Sequence, residues 1–159
     1  MRGLSRQLLE QVGTTMPMTQ DITDEKKSKL ILLAEDSITT RLQEKRILES
    51  AGYEVIAAVD GFDAWSQLSR FDFDAVVSDI MMPVMDGLTA LRLWRERESE
   101  RNLPRTTVLM VTAHAMTGDR ERFIAAGADG YVSKPMSELS LRKEINRACL
   151  RNAEGLASK

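Results

Sequence analysis

Val76-Val77-Ser78-Asp79-Ile80-Met81-Met82-Pro83-Val84-Met85-Asp86-Gly87 is the stretch that decides how this chain is read. A short apolar strand leads straight into a carboxylate and is stopped by proline and then by Asp-Gly. Asp79 therefore falls at the carboxyl end of a buried strand, where open α/β sheets place their ligands. Upstream, Leu30-Ile31-Leu32-Leu33-Ala34 runs into Glu35-Asp36. Downstream, Val108-Leu109-Met110-Val111 runs into Thr112, and Tyr131-Val132-Ser133 runs into Lys134-Pro135. Four strand ends deliver three carboxylates, a hydroxyl and an ammonium to one edge. That set suits a divalent cation and a phosphoryl group.

Between these runs the hydrophobic period changes from strand to helix and back. Residues 30–35 form a continuous apolar run, as a strand buried on both faces requires. Ser37 caps a helix in which Ile38, Leu42, Ile47 and Leu48 recur near helical spacing, and Gly52 ends it. Glu54–Ala58 reads as a second strand. Asp60-Gly61 turns into a helix with Phe62, Trp65 and Leu68, and Ala75–Asp79 is the third strand. Asp86-Gly87, read here as turn and helix-start chemistry only, opens a helix with Leu88, Leu91 and Trp94. A charged stretch over 95–101 follows, and Pro104 breaks it. Residues 107–112 and 130–133 are the last strands, with a helix over 118–126 between them. Ser137 caps a final helix carrying Leu141, Ile145, Ala148 and Leu150. Five strand-then-helix repeats predict a doubly wound α/β fold: a parallel sheet, helices on both faces, right-handed crossovers.

The chain has 159 residues, which suits one domain of about 120 residues with surplus at its ends. We expect a flexible extension or linker over 1–28, in which residues 4–12 could form a short amphipathic helix. The domain would cover 29–151 and a tail 152–159. The net charge of -2 and the lack of a basic run argue against a nucleic-acid partner. Cys149 is alone, so no disulfide or CxxC site is expected, and its place on the last helix's apolar stripe reads as a buried thiol. No apolar stretch approaches the roughly 20 residues that cross a bilayer, and no signal-peptide pattern opens the chain. The expectation is a cytoplasmic protein with no membrane partner.

Glu35, Asp36 and Asp79 held together would repel one another and raise their own pKa values unless a cation joins them. Oxygen-only ligands point to Mg²⁺, or Mn²⁺. Thr112 can donate to a phosphoryl oxygen, and Lys134 can supply a point charge to the same group. Pro135 fits a cis bond that aims the lysine inward.

From about Leu30 to Leu150 the chain resembles the receiver domains of bacterial two-component response regulators, the CheY-like family. Four motifs match in order and spacing: Ala34-Glu35-Asp36-Ser37, the run from Asp79 to Gly87, Val111-Thr112-Ala113, and Ser133-Lys134-Pro135. The resemblance implies a flavodoxin-like five-stranded sheet of order 2-1-3-4-5. It implies that Asp79 is a phosphoacceptor taking its phosphoryl group from a kinase phosphohistidine. Asp36, Asp79 and the backbone carbonyl of Met81 would ligate Mg²⁺, with Glu35 acting mainly through a water. Thr112 and Lys134 would hold the phosphoryl oxygens, and Thr112 with Tyr131 would form the switch. Met81 and His114 would tune the lifetime of the phosphorylated form. The family more often has Asp at the position of Glu35, whose extra methylene keeps the charge but moves it.

The implied partners are a sensor histidine kinase or histidine phosphotransfer domain, and a downstream protein met through the face at 118–150. The chain would be a single-domain regulator or the receiver piece of a hybrid kinase. Its only catalysis would be its own phosphorylation and slow dephosphorylation. A homodimer through the last helix fits, although no residue compels it. Two other classes remain beside this reading: a phosphorylation-independent binding module of the same fold, and a Mg²⁺-dependent aspartyl phosphohydrolase. The hydrolase would need an acid two residues after the nucleophile, where this chain has Met81.

Overall fold

The β-branched and aliphatic runs form five strands: β1 (Leu30–Ala34), β2 (Glu54–Ala58), β3 (Ala75–Asp79), β4 (Val108–Thr112) and β5 (Gly130–Ser133). The helices are α1 (Ile38–Ser50), α2 (Gly61–Leu68), α3 (Gly87–Arg101), α4 (Asp119–Ala125) and α5 (Glu138–Ser158). The computed structural model describes residues 28–82, 84–113 and 115–158. The expected extension before residue 28 and the expected tuning residue His114 lie outside the described residues. All strands pair in parallel in the order β2-β1-β3-β4-β5, as expected.

The side-chain period of two splits the core into two layers. Ile31, Leu33, Val77, Leu109 and Val111 point one way and pack with Leu48 of α1 and with Leu141, Ile145 and Ala148 of α5. Leu32, Ala34, Val76 and Met110 point the other way and meet Ala64 of α2, Leu91 of α3 and Phe123 of α4. Every residue of β3 and β4 is buried, which explains why those strands read as unbroken apolar runs.

Both expected caps are present: Ser37 on α1, and Ser137 on α5, where Ser137 Oγ accepts from Ser140 N at 3.1 Å. The acids of the two Asp-Gly turns cap α2 and α3 as well. Ser37 Oγ accepts from Thr40 N, Asp60 Oδ1 from Asp63 N at 2.7 Å, and Asp86 Oδ1 from Thr89 N at 2.8 Å. Gly52 ends α1 at φ 99°, a conformation an L side chain rarely adopts.

The structure revises the sequence reading of two helices. On α1, Ile38 and Leu42 face solvent, at 67% and 54% exposure, while Glu44 points inward. The stripe that faces the sheet carries Glu44, Ile47 and Leu48, so helical spacing alone chose the wrong edge of the face. The last helix does not stop near Leu150, which is exposed; it continues to Ser158, through the segment read as a tail. Cys149 is half-buried, and burial pushes its thiol above the ordinary value.

The charged stretch of α3 is also structural. Arg95 is pinned by Glu98 and Asp129, each at 2.8 Å, and by the carbonyls of Gly127 and Thr106. Asp129 also binds Arg105 at 3.0 Å and the Val108 amide at 2.9 Å, tying the start of β4 to the end of α3. No helix among the described residues is long and apolar enough to cross a membrane.

Candidate functional site

Parallel strands that start together also end together, so the register decides which side chains share the carboxyl edge. Ala34 pairs with Ser78 and Asp79 with Val111, and Thr112 pairs with Ser133. The residues just beyond these pairs, Glu35, Asp36 and Lys134, therefore converge on Asp79. One carboxylate oxygen from each of Glu35, Asp36 and Asp79 lies within 4.8 Å of the others. Glu35 and Asp79 are buried and Asp36 is exposed. An open cleft of about 500 Å³ lined by Asp36, Met81 and Asp86 gives solvent access. Three hard oxygen donors beside open space fit a divalent cation that keeps part of its hydration shell.

Lys134, which precedes Pro135 through a cis peptide bond, reaches into this cluster. Its ammonium donates to Glu35 Oε1 at 3.0 Å and to Asp79 Oδ2 at 3.4 Å. A third carboxylate, Glu44 Oε2, stands 3.8 Å away. Burial alone would lower the lysine pKa. The hydrogen bond to Glu35 and the charges of Asp79, Glu44 and Glu35 outweigh it and hold the ammonium above the ordinary lysine value. The reverse holds for Glu44. Burial pushes its carboxyl up to about 7; the Lys134 charge opposes this, and Glu35 and Asp79 add to it.

The backbone holds the acids in place. Glu35 Oε2 accepts from Ser37 N at 3.1 Å, and Arg41 donates to the carbonyls of Glu35 and Asp36. Asp79 Oδ1 accepts from Met81 N at 3.4 Å. Met81 itself is 76% exposed, at the rim of the site. Thr112 is buried at the end of β4. Tyr131 is half-buried, its ring 5.3 Å from Phe123 and capped by the Arg120 guanidinium at 5.7 Å.

Two supporting residues escaped the sequence reading. Gly87 is more than a helix start, because a Cβ there would overlap the carbonyl oxygen of Asp79 and meet Met110 Cε at 2.8 Å. Its amide donates to the Ile80 carbonyl at 3.0 Å, which folds the loop after Asp79 back under the site. Glu44 is the other. Its only sequence signal was a charge on a helix face that needs apolar residues, and the neighbouring Ile38 and Leu42 masked it.

A family model described as the response regulator receiver domain matches residues 31–146. Sensor protein GacS of Pseudomonas syringae pv. syringae is 34% identical over 115 residues, 72% of this chain and 13% of GacS. Histidine-protein kinase BarA of Shigella flexneri is 33% identical over 127 residues, 79% of this chain and 14% of BarA. The chain thus spans about one seventh of the length of these two curated relatives.

Among solved structures, the receiver domain of sensor histidine kinase PA1611 from Pseudomonas aeruginosa PAO1 is 33% identical with a TM-score of 0.68. It covers 77% of this chain and 98% of that one, and it holds a magnesium ion in its active site cleft. Chemotaxis protein CheY4 of Vibrio cholerae is 31% identical with a TM-score of 0.68, over 77% of this chain and 99% of that one. The architecture is that of CheY-like receivers. The chain belongs to the response regulator receiver domain family of two-component systems.

Proposed function

We propose that Asp79 accepts a phosphoryl group from a phosphohistidine of a sensor kinase or phosphotransfer domain, and that this switches a protein-binding surface. The observation that carries the reading is the Lys134 ammonium bonded to both Glu35 and Asp79 beside the three clustered carboxylates. Asp36, Asp79 and the Met81 carbonyl would hold Mg²⁺ or Mn²⁺, with Glu35 acting mainly through a water. Bound there, the ion supplies positive charge to the phosphoryl oxygens as the group transfers.

The protein's own part is positioning. An Asp79 carboxylate oxygen attacks phosphorus in line with the leaving imidazole. The P–N bond breaks and its electron pair returns to the ring nitrogen. Lys134 and the Thr112 hydroxyl hold the phosphoryl oxygens, and Thr112 with Tyr131 relays the new state to α4, β5 and α5. Such a relay is a population shift, driven only by contacts that differ between the two states. Met81 and His114 set how long the acyl phosphate survives. Catalysis is limited to the domain's own phosphorylation and slow dephosphorylation, since Met81 stands where a hydrolase would place its acid.

Exposed Ile38 and Leu42 on α1, Met81 and Val84 after β3, and Met116 after β4 ring the site with apolar surface. A helical phosphodonor domain would dock there, and the output partner would meet the face at 118–150. The reading places the domain, over 29–151, in the cytoplasm, free-standing or carried by a longer kinase.

Intact mass after incubation with Mg²⁺ and acetyl phosphate tests this. One phosphate adduct in the parent, absent from Asp79→Asn, is the expected result. The reading is overturned if the folded parent gains no adduct from acetyl phosphate, phosphorylated kinase or phosphotransfer domain.

A further inference from the structure

Glu44 is a charge in a place built for an apolar side chain. It sits on the face of α1 that packs on the sheet, beside Leu48, and is 5% exposed. Among the described residues its closest ionic partner is the Lys134 ammonium at 3.8 Å, too long for a good hydrogen bond. The titratable groups facing it are Lys134 from the loop after β5, Glu35 from the end of β1 and Asp79 from the end of β3. A gap of about 270 Å³ lined by Thr40, Gln43, Ile47, Pro135 and Met136 opens beside the pair.

The ammonium is therefore shared between two sides, 3.0 Å from Glu35 and 3.4 Å from Asp79 on one and 3.8 Å from Glu44 on the other. On the site side it meets Glu35 and Asp79; on the helix side it meets Glu44. A phosphoryl group on Asp79 needs the ammonium on the site side. It also adds negative charge close to Glu44. Both effects oppose phosphorylation while Glu44 is ionised, and both vanish when it is neutral.

We propose that Glu44 is a positioning residue that draws the Lys134 ammonium toward α1 and so restrains phosphorylation of Asp79. This rests on the reading of Asp79 as the acceptor. The raised carboxyl pKa of Glu44 supports it, because it places the change of charge near neutrality. The restraint is then strongest on the alkaline side and relaxed on the acid side.

Two measurements on the full chain test it. The first is the rate of Asp79 phosphorylation by acetyl phosphate at saturating Mg²⁺, followed by intact mass for the parent, Glu44→Gln and Glu44→Met. Both variants should react about fivefold faster than the parent near pH 8.5 and at about the parent's rate near pH 6. A purely structural role would slow both variants at either pH.

The second needs no phosphodonor or metal. The carbon-13 shift of the Lys134 Cε should titrate near neutrality in the parent and lose that step in Glu44→Gln. Equal rates at both pH values, slower variants at both, or an unchanged lysine titration in Glu44→Gln would each overturn the proposal. If the parent takes no phosphate at all, the reading of Asp79 fails, and the lysine titration alone decides the role of Glu44.

Discussion

Lys134 Nζ lies 3.0 Å from Glu35 Oε1, although 99 residues separate them in the chain. The sheet makes the meeting by placing the ends of β1, β3 and β5 at one edge. In the metal-free protein this ammonium is the counter-charge for Glu35, Asp79 and Glu44. Lys134→Met should therefore cost about 2 kcal/mol of stability near pH 8, since it leaves buried carboxylates without a cation. Urea unfolding without Mg²⁺ measures it. The loss should shrink near pH 5, below the raised carboxyl pKa of Glu44, where that one of the three no longer needs a counter-charge.

Mg²⁺ should stabilise the chain by acting on the same charges. At about ten times its dissociation constant a ligand specific to the folded state adds about 1.4 kcal/mol. Thermal unfolding against Mg²⁺ concentration should show this rise. Asp36→Asn should remove most of it, because Asp36 is the solvent-facing member of the three carboxylates.

Gly87 offers a test of how the backbone supports Asp79. Gly87→Ala pushes a methyl into the Asp79 carbonyl and the end of Met110, and backbone cannot yield as a flexible side chain can. We expect a loss of about 3 kcal/mol in chemical denaturation. Phosphate uptake should also slow in the fraction that remains folded, because the loop carrying Met81 must shift.

The Arg95 network is remote from the site and should separate stability from chemistry. Arg95→Ala leaves Glu98 and Asp129 buried with one cationic partner fewer, at a cost of about 3 kcal/mol. Phosphorylation by acetyl phosphate should stay at the parent's rate at temperatures where the variant is folded.

Glu44 predicts a pH dependence with a definite sign. Its carboxyl sits at about 7 when folded and at its ordinary 4.5 when unfolded. The folded state therefore binds more protons between these values, and stability falls as pH rises through that window. The penalty is absent below about pH 4.5 and complete above about pH 7, reaching up to about 3 kcal/mol. Urea unfolding of metal-free protein should show Glu44→Gln gaining on the parent across this range and holding a constant advantage above it.

The α1 helix shows where reading by period stops working. Ile38 and Leu42 fit a helical stripe as well as Ile47 and Leu48 do, yet only the latter pair packs inward. Nothing local distinguishes an apolar residue that packs on the sheet from one that stays in solvent. Gly87 failed for a related reason. Glycine after aspartate is ordinary turn chemistry, and the close approach of the Asp79 carbonyl exists only once β3 and α3 are packed.

The sequence by itself determined the alternation of strands and helices, the parallel sheet and the acids, hydroxyl and lysine at strand ends. These are local signals: a strand buried on both faces needs an unbroken apolar run, and a helix start needs its cap. Tertiary structure alone decided which charges face one another. It seated Lys134 among Glu35, Asp79 and Glu44, clamped Arg95 to Asp129, and turned Glu44 inward. Coulomb forces and hydrogen bonds depend on distance through space, and strand register and helix rotation set those distances only when the two core layers close on the sheet.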